Sequence, residues 1–131
     1  MKKNIIISLL FVGIAIFSCS KNNNTEINKN IFNTDSYVQM NNNSKKLFLD
    51  SLYKFSNEIS DTPKSINFLF KLAEEYYYLN EYEKSLYISR KIFFKTKKLQ
   101  DTLSIAKAYY YIGDAFEQEH KDSAYYYYQK A

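Results

Sequence analysis

Leu72-Ala73-Glu74-Glu75-Tyr76 is answered further along the chain by Ile112-Gly113-Asp114-Ala115-Phe116. Both read large aliphatic, small, two variable residues, aromatic. About a dozen positions on, Lys84-Ser85-Leu86 is answered by Ser123-Ala124-Tyr125, and each copy continues into an aromatic-rich stretch. A short side chain at such a position lets a partner helix approach closely. A unit of two helices cannot bury its apolar face alone and must stack on a neighbour. The expected fold is therefore all-α: antiparallel helix pairs stacked as a short solenoid, with about five helices.

Hydrophobic spacing places those helices. Phe48, Leu52, Phe55 and Ile59 form one stripe over 45–60. Asp61-Thr62-Pro63 restarts the chain, with Asp61 or Thr62 as N-cap and Pro63 tolerated in the first turn. A second helix follows from Pro63 to about Leu79, carrying Ile66, Leu69, Leu72, Ala73 and Tyr76. Asn80-Glu81 breaks it. A third runs from about Tyr82 to Lys98, with Leu86, Ser89, Ile92 and Phe93 expected inward. Asp101 or Thr102 caps a fourth, which carries Ile105, Ala108, Tyr109, Ile112, Gly113 and Phe116. After the turn Glu119-His120-Lys121-Asp122, a fifth is expected from near Ser123 and still running at Ala131. With Gly 2 and Pro 1, the chain is too poor in turn residues for a sandwich or barrel.

The start of the chain reads as an address. Lys2 and Lys3 precede an apolar run from Ile5 to Phe17, shorter than the ~20 residues of a membrane span. Residues 1–18 are expected to be a signal peptide. Its end, Ile16-Phe17-Ser18-Cys19, resembles a bacterial lipobox. That resemblance implies cleavage before Cys19, a lipid on its sulfur, and a place in the cell envelope facing the periplasm or exterior. Ser20, with no acidic residue there, favours the outer membrane within the same pattern. Cys19 is the single cysteine, which rules out an internal disulfide. A cut elsewhere would leave it as a free thiol. Residues 19–44 hold Asn22-Asn23-Asn24 and Asn41-Asn42-Asn43 with few large apolar residues, and are expected to be a disordered tether. The helical domain is expected over 45–131.

Removal of Lys2 and Lys3 takes the formal charge from +4 to +2. No basic stripe suited to nucleic acid is present. Lys91, Lys95, Lys97 and Lys98 gather at a helix end, where they complement its dipole. Catalytic chemistry finds little support. His120 is a lone histidine in a polar turn. Glu74 and Glu75 are successive helical residues and point apart, and two glycines cannot build a phosphate loop. No cofactor, metal or catalytic group is expected.

Ten of the fourteen tyrosines fall in runs at 76–78, 109–111 and 125–128. Successive helical residues point about 100° apart, so a run cannot be all core. Some rings must face a groove or solvent, where tyrosine suits recognition.

These residues resemble the tetratricopeptide repeat. Leu69, Leu72, Ala73, Tyr76, Tyr82 and Ser85 fit its pattern in a first unit over 63–99, while Ser89 and Ile92 depart from it. Tyr109, Ile112, Gly113, Phe116, Ala124, Tyr128 and Ala131 fit in a second over 102–131, one residue short in the inter-helix turn. The tyrosine runs suggest an offset of 33, near the ~34-residue family period. The small residues give 40, and packing requires the small residues in register. Residues 45–60 would be an incomplete flanking unit.

The resemblance implies a binding scaffold whose concave groove is lined by Asn67, Phe70, Glu74, Tyr77 and Tyr78, then Lys107, Tyr110, Asp114, Glu117 and Gln118. This surface lacks the basic clamp with which some members hold a terminal carboxylate. The expected partner is a protein or peptide, with the membrane engaged only through the anchor and no nucleic acid. Two other readings stand beside this one. The chain resembles the sensory repeat region of bacterial regulators, so it could open a longer histidine kinase or transcriptional regulator. Alternatively it self-associates, as a structural homo-oligomer.

Overall fold

A computed structural model describes residues 31–58 and 60–131. The signal segment, Cys19 and Ile59 lie outside the described residues. After a single 3-10 turn at Ile31–Asn33 come α1 (Asp35–Val38), α2 (Asn42–Ser56), α3 (Pro63–Tyr78), α4 (Tyr82–Lys98), α5 (Thr102–Phe116) and α6 (Lys121–Tyr128). No strand occurs among the described residues. The fold is all-helical and repeat-like, with adjacent helices packed in pairs. Each helix packs chiefly on its neighbours in the chain, and α3 also touches α5.

Local chemistry sets the boundaries. Thr62 caps α3 by accepting from the Ser65 amide, and the Ser65 hydroxyl accepts from the Thr62 amide in return. That reciprocal box, with Pro63 in the first turn, satisfies donors the helix cannot satisfy itself. Asp101 caps α5 through the Ser104 amide. Of the two candidates at each site, these are the ones used.

The helices stop in a matched way. Asn80 and Gln100 both take positive φ, 58° and 57°. The Asn80 amide donates to Tyr77 and the Glu81 amide to Tyr76, while the Gln100 amide donates to Lys97 and the Asp101 amide to Thr96. This is a left-handed cap of the Schellman type, made twice without glycine. Each cap reverses the chain within a few residues, so α4 runs antiparallel to α3 and α5 antiparallel to α4.

Burial follows the offset of 40. Leu72 and Ala73 are buried, and so are Ile112 and Gly113. An offset of 33 would pair Ala73 with the half-buried Ala106. Gly113 is needed for a close approach: a Cβ there would lie 2.6 Å from the Tyr128 ring. In α4 the inward face is Ser85, Ile88, Ser89, Ile92 and Thr96. Leu86 and Phe93, expected inward, are only half-buried. The Ser89 and Thr96 hydroxyls donate to carbonyls one turn back, at Ser85 and Ile92, which makes their burial tolerable.

Two expectations need correction. The tether does not extend to residue 44. Phe32 and Tyr37 are 4% and 3% exposed and belong to the main core. Phe32 stacks on Phe68 at 5.9 Å and meets Tyr37 edge-on at 5.7 Å. Tyr37 packs on Phe48, and its hydroxyl donates to Glu75 at 2.6 Å. Helix α2 already starts at Asn42, capped by Asn41. The last helix begins at Lys121 rather than Ser123 and ends at Tyr128, short of Ala131.

Polar ties join the pairs. The Tyr76 hydroxyl and the Lys84 ammonium both donate to Asp50. Burial alone would raise the Asp50 carboxyl, but these two donors outweigh it and hold it below the usual carboxylate range. Lys95 pairs with Asp61 and Lys91 bonds Asn57, so part of the lysine cluster fastens α4 to the connection between α2 and α3. Burial pulls the Lys91 amine below its ordinary range.

Candidate functional site

Stacking α3 on α5 across α4 leaves a cavity of about 310 Å³. Helix α3 contributes Glu74, Tyr77 and Tyr78, and α5 with its C-cap residue contributes Tyr110, Tyr111, Asp114 and Glu117, joined by Ser85 of α4. The helical spacing explains the grouping. Residues three and four apart share a face, so Glu74 meets Tyr77 and Tyr78, while Tyr110 and Tyr111 meet Asp114.

Six of the expected groove residues therefore come together: Glu74, Tyr77, Tyr78, Tyr110, Asp114 and Glu117. Tyr78 is 66% exposed and Tyr110 51%. Phe70 does not line the cavity. It is 2% exposed and packs under Tyr111, with ring centroids 5.2 Å apart. Lys107 covers that pair, 4.5 Å from the Phe70 centroid and 5.7 Å from Tyr111. Asn67 and Gln118 are exposed but do not border the cavity. Tyr111 and Ser85 were missed. Tyr111 belongs to a run already marked by its tyrosines, and only its rotation about α5 decides its role. Ser85 is read in sequence as a packing position, and its shortness also leaves room above it.

The site is acidic and hydroxyl-rich. Burial raises the Asp114 carboxyl above its ordinary range, although the Tyr128 hydroxyl donates to it at 2.8 Å and pulls the other way. Tyr128 also packs on Tyr110 at 5.5 Å, so α6 buttresses the cavity wall. Burial, with the charges of Glu74 and Asp114, pushes Tyr111 up to about 12. Burial likewise raises Tyr77, helped by Glu117 and Asp114. Raised in this way, the Tyr77 and Tyr111 phenols stay neutral near pH 7 and present a donor hydroxyl on an aromatic body.

Charge around the rim is uneven. Glu74 is paired with Lys71 one turn away. Among the described residues, no lysine or arginine forms an ion pair with Asp114 or Glu117. Glu74 and Glu75 do point apart: Glu74 turns to the cavity and Glu75 to Tyr37.

His120 lies at the start of α6 with its ring 6.0 Å from Phe116. Among the described residues, no group of three or more His, Cys, Asp or Glu could hold a metal ion. No described helix is long and apolar enough to cross a membrane. No protein-family model, curated protein or solved structure matches the chain.

Proposed function

We propose that the chain is a lipid-anchored protein of the cell envelope, with tetratricopeptide-type units, whose groove binds a protein or peptide and performs no chemistry. One observation carries the binding half. Two helices of equivalent register face each other across an open cavity whose walls are tyrosines left partly uncovered. Tyrosine offers large contact area at small entropic cost, and exposing such rings without a partner wastes apolar surface. The anchor half rests on the sequence of residues 2–19.

The binding half is tested by capture of envelope proteins on the immobilised full-length chain. Wild type is expected to retain a defined partner that the Tyr78→Ala/Tyr110→Ala double variant loses by at least about tenfold, since each ring is worth about 1–2 kcal/mol in an interface. Both rings are half-exposed or more, so the fold should survive, and circular dichroism would verify it. Equal retention by both proteins removes the groove from the reading. The anchor is tested separately. Cys19→Ala should abolish incorporation of a labelled lipid precursor and release the chain from membranes; unchanged labelling would sink it.

A further inference from the structure

We propose that the α5 end of the groove recognises arginine side chains of a basic peptide segment. The proposal deepens the peptide-binding reading and rests on it. Three observations meet at this end. Asp114 and Glu117 stand on one face of α5 beside Tyr110 and opposite Tyr77 of α3. No lysine or arginine of the described chain pairs with either carboxylate. Two neighbouring cations, Lys71 and Lys107, are already engaged, Lys71 on Glu74 and Lys107 over the Phe70–Tyr111 pair.

Asp114, which accepts from the Tyr128 hydroxyl, and Glu117 therefore stand among tyrosine faces with no ion-pair partner in the described chain. A planar guanidinium stacks on an aromatic ring and forks onto a carboxylate at the same time. An acidic segment would meet repulsion from Glu117 and Asp114. A purely apolar segment would bury these carboxylates without a counter-charge, which costs free energy. The volume, about 310 Å³, suits one or two side chains of a docked strand or helix rather than a large ligand.

The full-length chain in neutral detergent would be titrated with a fluorescent Gly-Ser peptide carrying two arginines. The comparison probes are the same peptide with citrulline in their place and free spermidine. The arginine peptide is expected to bind at least about tenfold more tightly than the citrulline peptide, the gain of a charge-assisted contact. Glu117→Gln should narrow that gap to about threefold or less, and added salt should narrow it in wild type. Glu117 is exposed, so this variant should keep its thermal midpoint. Equal affinity for the arginine and citrulline peptides, or no binding of the arginine peptide, overturns the proposal. Spermidine binding as tight as the peptide also overturns it, because the site would then take a free cation. In each case the envelope capture still decides the broader reading: a partner lost with Tyr78 and Tyr110 keeps the groove and removes only the arginine preference.

Discussion

Phe70→Ala is expected to lower the free energy of unfolding by about 3–5 kcal/mol, the usual result of deleting a buried aromatic ring. The ring is 2% exposed, packs on Tyr111 and is covered by Lys107. Its removal opens a void between α3 and α5, which touch each other far less than either touches α4. A domain of this size has about 5–15 kcal/mol in total, so the variant would stand close to its folding threshold. Urea unfolding measures the loss. Phe70→Leu serves as the matched control, because a leucine fills most of the space and should cost far less. A loss below about 1 kcal/mol in Phe70→Ala would mean that the ring faces solvent, and would return it to the role of a partner anchor.

The second large effect concerns the segment before α2. Phe32→Ala should cost about 3–5 kcal/mol by the same mechanism. Phe32 is 4% exposed and joins Phe68 of α3 to Tyr37, whose hydroxyl is tied to Glu75. Loss of the ring should free residues 31–40, so their amides should also exchange faster with solvent than in wild type. If the urea midpoint of Phe32→Ala matched wild type, this stretch would be a free leash after all and the core would begin at α2.

Much of the architecture is legible from the chain. Thr62-Pro63 and Asp101 mark helix starts because capping chemistry is local. Ala73 and Gly113 mark the crossings because close approach admits few side chains. What escaped was non-local. Phe32 and Tyr37 are isolated aromatics among asparagines and serines, with no period to reveal a helix, and they are ordered only by α3 and α2 beneath them. The site was legible to a similar depth. Spacing on α3 and α5 brings Glu74, Tyr77, Tyr78, Tyr110, Asp114 and Glu117 to one side. Phe70 is one turn before Glu74 on the same helix, and nothing within α3 says whether Tyr111 of α5 covers it. Ile88 for Leu86 in α4 is the same difficulty, a rotation of the helix settled by its neighbours on both sides.

The helices follow one another like slats, each leaning on the one before and the one after. Such a stack loosens by fraying, and a slat at the margin is held on one side only. Among the described elements, the short α6 is clasped only by α5, and the 3-10 turn and α1 lie at the opposite side, whereas α3, α4 and α5 are each clasped from two sides. The groove spans those three. Its walls therefore occupy the part of the molecule that opens least often, so a docking partner meets a surface already in its working shape and loses little free energy in ordering it.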